Sequence, residues 1–221
     1  MFPSVDRLIL WLPAFVVAIA VHEASHALAA SLLGDSTPRR QGRLTLNPLR
    51  HLDPLGTITL IYAGFGWGKP VFVDPGQFRI HPITGNAIVA VAGPLSNVVL
   101  AIVFGLPDRF HLEPTQSALL SAPMIGSINL LALTVALVKT TAAVNLLLAV
   151  FNLIPLPPLD GFSVLMGVLP RSHAIAIAPL AKYGPPALLM LFALSYFGIM
   201  DVFGRVIMPP FNALYPIVIG G

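Results

Sequence analysis

The sequence predicts an all-α polytopic membrane protein. Its expected parts are a core of three transmembrane helices, one or more C-terminal helices, and a small membrane-associated β-hairpin or sheet in the first cytoplasmic loop. Three observations lead there. Hydrophobic residues make up 56% of the 221 and charged residues only 10%, with a mean hydropathy of +0.86; a soluble domain carries about 25% charged residues. Apolar runs long enough to cross a bilayer begin at Leu8, Ile83 and Met124. Six of the twelve basic residues (Arg39, Arg40, Arg43, Arg50, Lys69 and Arg79) fall in one segment, Gly34–Pro82. A Lys/Arg excess marks a cytoplasmic loop, so the N-terminus is expected outside.

The same figures exclude other classes. The formal charge of +3 comes mostly from that loop, and no dense basic run interleaved with aromatics points to nucleic acid. There are no cysteines, so any metal must be held by nitrogen and oxygen. The first apolar run is too long for a cleavable signal. The chain reads as one domain, 1–221, with spans at about 8–33, 83–106, 124–153 and 185–203, a β-prone loop at 34–82 and a tail at 206–221.

The first span, Leu8–Leu33, carries one formal charge, Glu23, inside His22-Glu23-Ala24-Ser25-His26. Residues four apart on a helix differ by about 40° of rotation and about 6 Å of rise, so His22 and His26 share a face. That spacing suits two nitrogen ligands of one zinc ion, with the intervening glutamate as general base toward a water at the metal. A lone histidine in an apolar helix is usually a packed core residue. Two histidines and a carboxylate in one turn at bilayer depth are a functional cluster by default, because an ionised group there costs about 2.5–3.5 kcal/mol or more. Pro13 marks an early kink, and the small residues around the motif allow close helix packing.

In the loop, Arg43–Leu46, Thr57–Tyr62 and Val71–Val73 are short β-prone pieces. Turn signals separate them at Asn47-Pro48, Asp53-Pro54, Gly64-Phe65-Gly66-Trp67-Gly68 and Asp74-Pro75-Gly76. Leu55–Trp67 is apolar enough to dip toward the membrane. His51 and His81 read as loop polarity. The second span, Ile83–Leu106, is uncharged and contains Gly93-Pro94-Leu95-Ser96-Asn97. Gly-Pro loosens the helix there. Asn97 suits either a helix–helix hydrogen bond or a share in the active site. The third span, Met124–Leu153, is longer than a bilayer needs, so it is tilted or begins outside; its one charge, Lys139, snorkels or faces protein.

At the cytoplasmic end of the third span stands Phe151-Asn152-Leu153-Ile154-Pro155-Leu156-Pro157-Pro158-Leu159-Asp160-Gly161. The prolines end regular helix and are expected to give an extended segment. Topology brings Asp160 to the level of His22 and His26, where tetrahedral zinc needs a third protein ligand. The competing reading makes Asp160 an N-cap of the next helix. Farther on, a fourth span is centred on Ala187–Met200, and Val206–Ile219, broken by Pro209, Pro210 and Pro216, reads as a re-entrant or interfacial tail.

Taken together, these segments resemble the site-2 protease family of intramembrane zinc metalloproteases, over roughly Val21–Gly161. The resemblance rests on His-Glu-x-x-His, on Leu-Asp-Gly after Asn-x-x-Pro-x-Pro, on Leu46-Asn47-Pro48 with Asp53-Pro54-Leu55-Gly56-Thr57, on Gly66-Trp67-Gly68-Lys69-Pro70-Val71 and on Gly93-Pro94-Leu95-Ser96-Asn97. It implies one zinc per chain held by His22, His26 and Asp160, Glu23 as the base, and Asn152 positioning the substrate or stabilising the oxyanion. It also implies that the loop guides the substrate as an added strand. Members often carry PDZ or CBS domains, for which this chain has no room; it looks like a minimal prokaryotic form, multi-pass in the cell (inner) membrane, with the active site toward the cytoplasm. The expected partners are the lipid bilayer and a transmembrane protein substrate, with a water channel from the cytoplasm. Asn47, Asn97 and Asn152 are the candidate substrate-binding and channel-lining residues. The same ligands suit cobalt or iron. Two other classes use such a site: a metal transporter, for which the repeated halves are missing, and a non-catalytic zinc-binding scaffold.

Overall fold

The computed structural model describes residues 5–63, 66–112, 114–125 and 128–220. It is mostly helical, with four helical stretches long and apolar enough to cross a membrane: Leu8–Leu32, Pro82–Arg109, Leu130–Asn152 and Arg171–Tyr196. Helix α1 (Val5–Leu32) runs through Pro13 and ends in a Schellman motif. Gly34, at φ +112°, turns the chain, and the amides of Gly34 and Asp35 close on the carbonyls of Ser31 (3.2 Å) and Ala30 (3.0 Å).

The short helix α2 (Thr37–Arg40) opens the loop. It is followed by a 3-10 turn, Pro48–Arg50, capped by Asn47, and by α3 (Pro54–Ala63). Here the structure corrects the expected β-hairpin. Thr57–Tyr62 lies inside α3, and among the described residues of the loop the only strand-like pairing is the isolated bridge Leu52–Gly68. Asp53 explains the switch. Its side chain accepts from Gly56 N–H (2.8 Å) and its carbonyl from Thr57 N–H (2.8 Å), with Pro54 in the first helical turn. A strong N-terminal cap and burial of Leu60 outweigh the β-branched residues. Leu60 packs with Ala14, Phe15, Ala18, Ile19 and Val144. Ala14 lies about 12 Å N-terminal to His22 along α1, so α3 packs on α1 to the N-terminal side of the histidines. Gly64 and Phe65 of the expected turn lie outside the described residues.

Asp74 caps a second 3-10 turn, Pro75–Gln77, which leads into α4 (Pro82–Arg109). After α5 (Gln116–Ser121) comes a two-stranded antiparallel pairing, β1 (Met124–Ile125) with β2 (Ile128–Asn129). The third span therefore begins at α6 (Leu130–Asn152) rather than at Met124, and Asn129 caps it through Ala132 N–H (2.9 Å). Lys139, expected to snorkel or face protein, pairs with a protein group: its Nζ lies 3.2 Å from Asp108 Oδ1. Helix α4 runs antiparallel to both α1 and α6, which pack parallel to each other. Ala18 meets Asn97, His26 meets Val89, and Asn97 meets Asn145.

Leu153–Leu159 forms successive turns rather than an extended strand, with Leu156 N–H on Ile154 O and Leu159 N–H on Leu156 O. Helix α7 (Asp160–Val168) then docks on α4, where Asn86 donates to Ser163 Oγ (3.2 Å). Helix α8 (Arg171–Ile177) and a 3-10 stretch lead into α9 (Gly184–Tyr196). Pro185 and Pro186 do not break α9, because amides in a first turn need no helical partner. Gly198 (φ +70°) stops it before the expected end at 203, with Ile199 N–H closing on Leu194 O (2.9 Å). The tail is a π-helical turn, Phe203–Ile207, and α10 (Met208–Val218). It packs Ile207 and Ile219 on Ala101, Ala142, Leu146 and Val150.

Candidate metal centre

α1 presents His22 and His26 on one face toward α4, and each ring is fixed from behind. His22 Nδ1 lies 2.6 Å from Asn97 Oδ1. Asn97 is wholly buried, and its amide donates to Ala18 O (3.1 Å) and Asn145 Oδ1 (2.8 Å). Its Oδ1 is therefore an acceptor, and His22 Nδ1 carries the proton. His26 Nδ1 donates to Val89 O at 2.7 Å. That carbonyl neighbours the carbonyl of Ala90, which has no helical amide partner because Pro94 lacks an N–H.

Both neutral rings consequently turn a bare Nε2 lone pair to the same point. The two Nε2 atoms are 3.0 Å apart, and Asp160 Oδ2 lies 3.2 Å from His22 Nε2 and 3.3 Å from His26 Nε2. Asp160 Oδ2 is buried with no hydrogen-bond donor among the described residues. Three acceptors crowded into a triangle repel unless a cation sits among them. The edges match the ligand–ligand spacing of about 3.3 Å that tetrahedral Zn–N and Zn–O bonds of about 2.0–2.1 Å require. His22, His26 and Asp160 are thus a group that could hold a metal ion, and their nitrogen and oxygen donors suit zinc. Asp160 makes no capping hydrogen bond; Leu159 occupies the N-cap position of α7.

Two glycines permit this convergence. A Cβ on Gly93 would lie 2.4 Å from His26 Nε2 and 2.6 Å from His22 Cε1. A Cβ on Gly161 would lie 2.3 Å from Leu153 O, so only glycine lets the proline turns fold back beside Asp160.

Glu23 is buried next to the histidines, and its Oε2 accepts from the Val71 amide at 3.1 Å. That amide belongs to the loop strap Lys69–Val71. The buried Arg43 guanidinium holds the strap through the carbonyls of Lys69 (3.0 Å) and Pro70 (2.9 Å), and also donates to Arg50 O. Burial pulls Arg43 below its ordinary pKa, and the charge of Glu23 opposes this. His51, read above as loop polarity, is instead wholly buried: Nε2 meets Thr45 O (2.7 Å), and its carbonyl accepts from Lys69 N–H (2.7 Å). Beyond the strap, the loop is tied by Asp35, which accepts from Asp74 N–H and Thr37 N–H (both 2.8 Å). Burial raises the Asp35 pKa, but these hydrogen bonds outweigh it and hold the carboxyl below the usual range.

Of the three candidate asparagines, only Asn97 joins the site, behind a ring rather than on a cavity wall. Asn152 is half-buried, its amide donating to Leu148 O (3.0 Å). Asn47 is exposed and caps the Pro48–Arg50 turn through Leu49 N–H. Sequence reasoning missed Asn145, Arg43 and the steric role of Gly93. Asn145 carried a usable signal, a polar residue in an apolar span. Asn97→Leu should weaken zinc binding about 10- to 100-fold, as expected for loss of a partner that orients a ligand; chelator competition reads this directly.

Residues 115–192, which include Asn152 and Asp160, match Peptidase family M50. The chain is 38% identical over 178 residues to the Bacillus subtilis (strain 168) protein named "Putative zinc metalloprotease YwhC", covering 80% of this chain and 77% of that one. Proteins named "Putative zinc metalloprotease Rip2" match at 31% identity in Mycolicibacterium smegmatis and 29% in Mycobacterium tuberculosis (strain H37Rv). Each match covers 80% of this chain, but only 63% and 64% of those relatives. No solved structure matches. The family and these names favour a protease over a transporter or an inert scaffold. The paired histidines, the facing aspartate, the membrane-length helices and identity sustained over most of the Bacillus relative lead to one conclusion: this chain belongs to Peptidase family M50, the site-2 protease family of zinc metalloproteases.

Proposed function

We propose that His22, His26 and Asp160 are the protein ligands of one zinc ion and that Glu23 is the general base of an endopeptidase. Its substrate is a membrane protein, cut within or next to a transmembrane helix. The observation that carries this reading is the triangle of three acceptor atoms beside a buried carboxylate. When bound, zinc supplies a Lewis acid that lowers the pKa of a water toward about 7 and polarises a carbonyl. Glu23 takes the proton of the attacking water and passes it to the leaving amine. The Val71 amide holds Glu23 Oε2, and Asn97 and Val89 keep both rings in the tautomer that leaves Nε2 free.

A helical substrate hides its carbonyls in internal hydrogen bonds, so it must unwind at the site. The turns of Leu153–Leu159 and the strap Lys69–Val71 flank Asp160 and Glu23, and both offer irregular backbone against which an extended segment is read. Asn152 is the candidate contact to that segment. The Lys/Arg excess of the Gly34–Pro82 loop supports a site on the cytoplasmic side, and our reading puts the chain in a prokaryotic cell membrane.

The test joins metal content to cleavage. Purified wild type should carry about one zinc per chain by mass spectrometry, lost in His22→Ala and in Asp160→Ala. In proteoliposomes the zinc-loaded protein should cut a single-span reporter at a bond that mass spectrometry places in or beside the span. Zinc retained in Asp160→Ala would remove Asp160 from the ligand set. Zinc-loaded protein that leaves a panel of single-span reporters intact would overturn the endopeptidase reading.

A further inference from the structure

Arg43 stands outside the catalytic chemistry described so far, yet it is a buried cation that forms no ion pair with a carboxylate among the described residues. Its three hydrogen bonds all go to backbone carbonyls, of Arg50, Lys69 and Pro70. Two of those three belong to the strap whose next amide, that of Val71, binds Glu23. The strap contains no regular secondary structure. Each of its polar backbone groups from Lys69 N–H to Val71 N–H has a named partner. Lys69 N–H meets His51 O, the carbonyls of Lys69 and Pro70 meet Arg43, and Val71 N–H meets Glu23. Pro70 has no amide and a fixed φ, so the carbonyls that Arg43 grips set the direction of the Val71 amide. A planar fork that reaches several carbonyls at once does this; a lysine ammonium, a point charge on a flexible stem, does it less well.

We infer that Arg43 is a positioning residue for Glu23: its guanidinium holds the Lys69–Pro70 carbonyls so that the Val71 amide fixes the Glu23 carboxylate. The inference deepens the proposed function and rests on Glu23 as the base. Arg43 is placed by its own neighbours. Its amide closes on Pro38 O at 2.9 Å, just after Gly42 turns the chain at φ +66°. The loop that carries the basic residues thus also carries the link to the reaction centre.

The experiment uses full-length zinc-loaded protein in nanodiscs. Arg43→Ala should retain one zinc per chain and lower kcat about 10- to 100-fold, the scale of losing an orienting partner. KM should stay within about twofold, because the contact acts on the base and not on substrate binding. Amide exchange over residues 69–73, followed by mass spectrometry, should rise while α1, α4 and α6 stay protected. Arg43→Lys, which keeps the buried charge, should show the same pattern with a smaller loss, and covers the case in which Arg43→Ala does not fold. Unchanged kcat in folded Arg43→Ala, loss of zinc, or a fall in kcat with no change in strap exchange would each overturn the inference. Failure of the underlying reading is separable. Full turnover in Glu23→Gln removes the base assignment, while the exchange result still reports whether Arg43 holds the strap.

Discussion

Glu23→Gln is expected to bind zinc normally and to lose about 10²–10⁴-fold in turnover, the range that general-base catalysis supplies. The substitution is nearly isosteric. A glutamine carbonyl still accepts from the Val71 amide, now 3.1 Å from Oε2, so the strap keeps its place. The ligand triangle involves neither Glu23 oxygen, so metal content should not change. What is lost is a carboxylate able to take a proton. Zinc analysis and initial cleavage rates on one preparation make the comparison. Turnover within about tenfold of wild type, with zinc bound, would show that another group takes the proton.

Gly93→Ala should damage the centre from the opposite side, although Gly93 makes no hydrogen bond to it. The added methyl would sit 2.4 Å from His26 Nε2, 2.5 Å from His26 Cε1 and 2.6 Å from His22 Cε1. Rings free to swing would yield at little cost. These are held by Asn97 and Val89 at 2.6 and 2.7 Å, so relief requires breaking an orienting bond or moving α1 away from α4. Overpacking of this kind costs about 1–3 kcal/mol. The more specific consequence is a distorted triangle and zinc affinity reduced by at least about 10- to 100-fold. Competition with a chelator, alongside thermal unfolding of metal-free protein, separates the two effects. Wild-type zinc affinity in Gly93→Ala would mean that the helices part without disturbing the ligands.

Much of the site was legible from residue order because its chemistry is local. The spacing of His22 and His26 needs only a helix, and a helix at Leu8–Leu33 follows from hydropathy. Asp160 needed one more step, topology, and the charge bias of the loop supplied it. The loop itself was misread. β-branched residues at Thr57–Tyr62 suggested a strand, but the Asp53 cap and the apolar face of α1 make it helical. Likewise the start of the third span moved to Leu130, because Met124–Ile125 pairs with Ile128–Asn129 as strands before the helix is capped by Asn129.

By itself, then, the sequence determined that the chain is a helical membrane protein and which side chains are chemically fit to hold zinc, because hydropathy, helical period and donor type are properties of short segments. Only the tertiary structure decided which way those side chains are held. The tautomers of His22 and His26, the need for glycine at 93, and the reach of Arg43 through Val71 to Glu23 all depend on contacts between residues 26 to 75 positions apart. Hydrogen bonds and steric exclusion act at contact range, and distance along the chain does not encode them.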